Sequence, residues 1–264
     1  MKKHHNFVLC ILLLGVNYMS AQNFEEMQRF KAKYASQAVA VDNRHFYAID
    51  NNHITKYTLN GDSITTWHEP NKERIRHINS GVVIKDKLYC AHSNFPETPM
   101  ASSIEIFDTK KLTHVQTISL GINVGSCTWV LPGDNCWYVF FAHYEKNGGQ
   151  PGHDVSWSQL VQYDLQWRRT QAWILPKKLI EEIRPLSLSG AVIIDDIFYC
   201  TGHDAQKTYL LTLPAYGMRM EWIDTIDIPF HGQGIAMDKK GNMWGIDRKN
   251  KFVIKATRKE VCIN

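Results

Sequence analysis

Five residues able to do acid–base or ligand chemistry recur at one kind of place in this chain. Asp50, His92, His143, His203 and Asp247 each end a short apolar run: Tyr47-Ala48-Ile49-Asp50, Tyr89-Cys90-Ala91-His92, Phe140-Phe141-Ala142-His143, Tyr199-Cys200-Thr201-Gly202-His203 and Trp244-Gly245-Ile246-Asp247. A second series opens the apolar run that precedes each of these: Gln37, Ser80, Ser126, Ser189 and Gln233. Imidazole titrates near neutrality, so it serves as a general acid or base or as a metal ligand. An aspartate after a strand has a plainer use, accepting backbone N–H bonds that fix the next turn. Asp50 and Asp247 fit that use; three histidines at matching positions do not. His92, His143 and His203 are therefore the candidate catalytic set, and equally the candidate ligands of a divalent metal ion. Gln37, Ser80, Ser126, Ser189 and Gln233 are candidates to orient a substrate. Arg76, Asp204 and Arg248 stand close by in sequence, and a guanidinium can clamp a carboxylate.

The elements that must position these residues repeat. Each copy reads as four strands, for example Gln37–Asp42, His45–Asp50, His53–Leu59 and Ser63–Trp67, with Asn43-Arg44 and Asn60-Gly61-Asp62 as turns. Self-similar sets of strands are the signature of a propeller or solenoid. Five copies follow one another, and the last, ending at Phe252–Thr257, lacks its fourth strand. Residues 27–34 precede the first copy and can supply it, which would close the ring and remove an exposed sheet edge. The expected fold is thus all-β, a single five-bladed β-propeller closed by an N-terminal strand. Six blades are the less favoured alternative, since they would need a strand set beyond those read here. Only Pro176–Leu186 has a helical pattern.

Loop lengths pick out one face. Turns such as Asn43-Arg44, Lys85-Asp86 and Asp195-Asp196 are minimal, whereas residues 68–79, 93–102, 144–158 and 177–188 form long connections on the other side. Elaborated loops are where scaffolds bind. The segment from Ser93 to Met100 is Pro-rich and suits a rigid wall. Residues 144–154 suit a flexible lid carrying Glu145, His153 and Asp154, with Trp157 near it to stack on a sugar ring.

The rest of the chain bounds the class. Lys2 and Lys3 lead an apolar stretch from Phe7 to Val16, and Met19-Ser20-Ala21 offers a small-residue exit. That is a cleaved secretory signal over residues 1–21, leaving residues 22–264 as the propeller domain, secreted or periplasmic. The formal charge is +4, and losing Lys2 and Lys3 lowers it to +2. A near-neutral chain has no electrostatic footprint for nucleic acid or anionic membrane. No later segment is long enough to span a bilayer. Cys90, Cys127, Cys136, Cys200 and Cys262 are odd in number and match no zinc motif, so they read as small buried hydrophobes. No nucleotide-binding glycine loop, Gly-x-Ser-x-Gly elbow or His-Glu-x-x-His is present, and glutamate is scarce near the candidate residues.

Lys87-Leu88-Tyr89-Cys90-Ala91-His92-Ser93-Asn94-Phe95-Pro96, Gly148-Gly149-Gln150-Pro151-Gly152-His153-Asp154, Trp167-Arg168-Arg169 and Tyr199-Cys200-Thr201-Gly202-His203-Asp204-Ala205 resemble a family of bacterial secreted propeller proteins sometimes labelled cycloisomerase-like. The resemblance spans nearly the whole mature chain and implies the propeller fold; it implies no particular reaction. More loosely, the chain is similar to polysaccharide lyases and lactone-forming enzymes on propellers, which use histidine-rich mouths, sometimes with a divalent metal. The expectation is an exported, monomeric enzyme acting on a small carbohydrate or sugar acid by elimination or isomerisation. The alternative is a non-catalytic propeller that binds a glycan or a protein.

Overall fold

A computed structural model describes residues 23–71, 73–122 and 124–259. The expected signal segment and Cys262 lie outside them. The first nine strands are β1 (Phe24–Lys31), β2 (Ala38–Val41), β3 (His45–Asp50), β4 (His53–Thr58), β5 (Ser63–His68), β6 (His77–Ile84), β7 (Lys87–Ser93), β8 (Ala101–Asp108) and β9 (Thr113–Ile122). Then come β10 (Ser126–Gly133), β11 (Cys136–Ala142), β12 (Gln159–Asp164) and β13 (Arg169–Ile174), followed by one short helix, α1 (Lys177–Ile183). The chain continues through β14 (Gly190–Ile194), β15 (Ile197–Thr201), β16 (Lys207–Thr212), β17 (Glu221–Asp227), β18 (His231–Met237), β19 (Met243–Asp247) and β20 (Phe252–Arg258). The fold is all-β.

Three antiparallel four-stranded sheets run in sequence order, β6 to β9, β10 to β13 and β14 to β17. The remaining strands are ordered β1-β20-β19-β18-β2-β3-β4-β5, and a single parallel bridge, Gly234 to Ala38, joins the two halves of that sheet. The N-terminal strand β1 pairs antiparallel with the C-terminal β20, from Phe24–Arg258 to Lys31–Phe252. Several four-stranded sheets of this kind are consistent with a propeller. Turn chemistry explains the tight hairpins. Asp195 and Asp196 both have positive φ, 49° and 62°, the geometry of a two-residue primed turn matching strand twist, and Ile194 pairs with Ile197 across them.

Each sheet buries side chains against a neighbour. Trp129 and Phe140 stack at 5.3 Å and meet Phe198 and Leu211 of the next sheet. Tyr199 and Leu210 meet Ile235 and Ile254. Phe30 and Phe46 gather around Trp244. Ile49 and Ile54 meet Leu88 and Phe107, and Ile106 meets Val139 and Val161. Burying such side chains is the main favourable term, about 1.5–3 kcal/mol each. The innermost strands β2, β6, β10, β14 and β18 touch in that order, and β18 touches β2. Their starts crowd together. A Cβ on Gly234 would lie 2.5 Å from the Cβ of Ala38, and one on Gly190 would lie 2.4 Å from the carbonyl oxygen of Gln233. Glycine is required there because backbones approach too closely for any side chain.

Candidate functional site

The long loops border a cavity of about 520 Å³ at the starts of the innermost strands. Six of the sequence candidates line it: Gln37, Arg76, Ser189, His203, Gln233 and Arg248. Asn51, His77, Asn79 and Thr128 complete the polar wall, and Phe95, Pro96, Tyr144 and Leu186 form an apolar one. No aspartate or glutamate is among the lining residues. Two guanidiniums, two imidazoles, amides and hydroxyls make a site suited to a polar anion, with an aromatic wall for its apolar face.

The three histidines separate. His203 follows β15 by two residues, on the loop beyond the strand end, and reaches the cavity. Its Nδ1 lies 2.6 Å from Asp204 Oδ2 and its Nε2 lies 3.2 Å from Arg248 Nη1. A guanidinium only donates, so Nε2 accepts and Nδ1 carries the proton that Asp204 receives. The carboxylate thereby fixes the tautomer whose lone pair meets Arg248 at the cavity wall.

His92 lies inside β7 and pairs across the sheet with Ile78 and Ser103. The backbone N–H of Arg76 donates to its Nε2 at 3.0 Å, so Nδ1 donates to Ser103 Oγ at 2.8 Å. Ser103 donates in turn to buried Glu105 at 2.5 Å, and Glu105 also accepts from His114 at 2.7 Å and Thr117 at 2.6 Å. Burial holds the His92 pKa below its ordinary value, against the opposing pull of Glu105. Both ring nitrogens are engaged, so His92 braces the Arg76 backbone and has no lone pair for a substrate or metal.

His143 is 1 % exposed. Its Nε2 donates to the Val124 carbonyl at 3.3 Å, its ring stacks on His153 at 5.0 Å, and Nδ1 has no partner among the described residues. Burial lowers its pKa, with the Val124 carbonyl opposing. It does not line the cavity. The structure does not bring His92, His143 and His203 together: of the three, only His203 lines the cavity. Among the described residues no three His, Cys, Asp or Glu side chains stand together as metal ligands.

Other candidates also fall outside the cavity. Ser80 and Ser126 are buried, and Ser126 donates to Ser93 at 2.9 Å. Asp204 stands behind His203. Asp50 accepts from the Asn51 N–H, and Asp247 accepts from the Asn250 N–H and side chain, so both serve turns. Arg184, just after α1, pairs with both lid carboxylates, Glu145 and Asp154, and the Trp157 ring lies 4.1 Å from that of His153, tilted by 55°. Cys90, Cys127, Cys136 and Cys200 are free and buried.

His77 is the residue that the strand-end pattern missed. It starts β6 on the cavity wall, its ring 4.9 Å from Phe95. Burial, then the neighbouring His92, lowers its pKa to about 4; Asn79 opposes, and Arg248 and His203 add to the lowering. His77 is therefore a neutral imidazole at pH 7. The cue in the sequence is its place beside Arg76, just ahead of Ser80. At the rim, Arg76 pairs with Glu97 at 2.7 Å, on the Pro-rich segment that also supplies Phe95 and Pro96.

The fold and site together define a propeller-like all-β protein with a cationic, amide-rich mouth. No family model matches the chain, and no curated protein matches its sequence. Among solved structures it is similar to hydrazine synthase of Kuenenia stuttgartiensis, with a TM-score of 0.48 and 8% identity, over 86% of this chain and 71% of that one.

Proposed function

We propose that the chain is a closed five-bladed propeller whose mouth binds a small sugar acid and removes the proton next to its carboxylate. The carrying observation is the cavity wall, which sets Arg76, Arg248 and His203 together, with Glu97 and Asp204 pairing with Arg76 and His203 from outside the lining. The five-blade reading is supported by the contacts among the five innermost strands and by the β1–β20 pairing.

In this reading Arg248 swings from His203 onto the substrate carboxylate, and Arg76 assists once Glu97 is displaced. The freed Nε2 lone pair takes the α-proton, while Asp204 stabilises the imidazolium through Nδ1. In elimination the C–H electron pair forms the new C=C bond. The C–O bond to the β-substituent breaks, and the departing oxygen takes a proton from the imidazolium or solvent. In isomerisation the same proton returns to a different carbon. Gln37, Asn51 and Ser189 hold the hydroxyls, and Phe95 and Tyr144 cover the apolar face. Residues 1–21 would export the protein, as a monomer, to the periplasm or medium.

One observation favours a second reading. Arg248 already occupies the His203 lone pair, so a pocket in which it stays there would bind the acid without turning it over. Thermal-shift titration of the purified protein with D-glucuronate and with D-glucose tests the site. Stabilisation by the acid alone is expected, lost in Arg248→Ala. Equal response to both sugars, or to neither, would refute it. Incubation with unsaturable oligouronides, followed by ultraviolet absorbance of the conjugated enoate, tests turnover; protection without product supports the binding reading.

A further inference from the structure

Eight non-glycine residues have positive φ among the described residues. Lys85, Leu112, Asn135, Trp167, Asp195, Asp196 and Lys251 lie in turns between consecutive strands, where that conformation closes a hairpin. Gln233 does not. It sits within β18 at φ 66°, where the pairing of that strand with β19 breaks register between His231 and Ala236. Its neighbours are both glycines that must be glycine. A Cβ on Gly232 would lie 2.1 Å from the Gly202 carbonyl oxygen, and one on Gly234 would lie 2.5 Å from the Ala38 Cβ. A third glycine at position 233 would relieve the backbone, yet a glutamine stands there, 3 % exposed and on the cavity wall.

What holds it is a set of bonds to the His203 loop and to Gln37 just ahead of β2. The Gln233 N–H donates to the Gly202 carbonyl at 3.0 Å, and Gly232 N–H donates to Ala205 at 3.1 Å. Thr201 Oγ1 donates to the Gln233 carbonyl, and Gly234 N–H donates to Gln37 at 2.9 Å. The side chain adds one more bond, Nε2 to the carbonyl oxygen of His203 at 3.1 Å. Gln233 thus touches the residue before His203 through its backbone and His203 itself through its amide. Strain kept at a position that its surroundings over-determine marks a functional constraint.

The geometry points to Gln233 as the positioning residue of the pocket: its amide braces the His203 carbonyl so that the ring stays between Asp204 and Arg248, and the strained backbone is what aims it there. This rests on the reading of His203 as the working base, and it adds a residue whose side chain acts through another.

The test compares Gln233→Ala with Gln233→Gly in the full chain. Both delete the amide, and only Ala keeps a Cβ in the left-handed region. The melting temperature of Gln233→Gly is expected to exceed that of Gln233→Ala by about 2–8 °C. Affinity for D-glucuronate is expected to fall by about three- to tenfold in both, roughly what one neutral amide–carbonyl hydrogen bond is worth. In the wild type, ¹⁵N signals of His203 should report a single Nδ1–H tautomer, and in both variants an averaged one. Affinity that recovers in Gln233→Gly along with stability would overturn the inference, because the residue would then be structural only. So would an unchanged tautomer in both variants. If the wild type fails to bind D-glucuronate, the sugar-acid reading falls, and the tautomer signals alone decide the role of Gln233.

Discussion

Replacing His77 by glutamine should remove a share of about 2 kcal/mol from the acid lability of this protein. The imidazole has a pKa of about 4 in the fold against an ordinary value of 6.5, because burial and the neighbouring His92, Arg248 and His203 disfavour its charged form. A folded-state pKa below the unfolded value means that the unfolded chain binds the extra proton first. The native state therefore holds its full stability above about pH 6.5 and loses it as pH falls toward 4. At 1.36 kcal/mol per unit, the whole difference is worth roughly 3 kcal/mol. Integrated only from neutrality to about pH 5, it is roughly 2 kcal/mol, a large share of a folding stability of about 5–15 kcal/mol. Burial pushes the pKa values of His92 and His143 the same way, so the wild type should lose more than this in total. Subtracting the variant isolates the His77 share. Urea unfolding of both proteins at about pH 7.5 and about pH 5 gives the four free energies needed. Glutamine keeps a donor and an acceptor toward Asn79, so any fixed cost of the substitution cancels in the difference between the two pH values. The acid-induced loss should be about 2 kcal/mol smaller in His77→Gln. Equal losses in the two proteins would show that His77 is solvated and titrates normally, and the account of the cavity wall would fail with it.

Two further outcomes follow from the same geometry. Glu97→Gln removes the carboxylate that already occupies Arg76 at the rim; since an exposed pair is worth up to about 1 kcal/mol, affinity for D-glucuronate should rise as much as roughly fivefold in a calorimetric titration, and a fall would mean that Glu97 helps hold the ligand. Gly234→Ala puts a Cβ 2.5 Å from that of Ala38 and 3.0 Å from that of Ser80; the overpacking should cost about 1–3 kcal/mol and lower the melting temperature by several degrees, whereas an unchanged transition would mean that the innermost strands have room to part.

The four-stranded sheets are legible in the chain because hairpin chemistry is local. Lys85-Asp86 and Asp195-Asp196 mark turns from their own side chains, and apolar runs between such turns have few alternatives to a sheet. The partner of β20 is legible from a count of strands, since a missing fourth strand and a spare segment at the other end imply each other; Phe24–Lys31 is that partner, a few residues before the segment 27–34 that the pattern suggests. The loop that carries Arg76 and His77 is legible as part of the elaborated face, but the burial of His77 in a cavity wall is not. His77 sits in a polar, mixed-charge stretch whose fold into a cavity wall depends on Phe95, 18 residues away on a separate loop.

The histidines show why equivalent positions in a repeat need not be equivalent in space. Laid over one another, His92, His143 and His203 all close the second strand of their repeats, and the alignment treats Gly202 as a neutral spacer. In the fold that spacer decides the outcome. A strand alternates its side chains between two faces, so one extra residue changes which side of the sheet a terminal side chain meets, and a residue past the last ladder bond is freed from the alternation. His92 ends up within β7, facing Ser103 on the neighbouring strand. His143 follows β11 directly and is walled in by Val124 and His153. His203, carried one residue farther by Gly202, clears β15 and meets Arg248 from another sheet. His203, the one imidazole of the series on the cavity wall, is thus set apart by the extra residue Gly202, while His92 holds the Arg76 backbone and His143 packs against His153 of the lid.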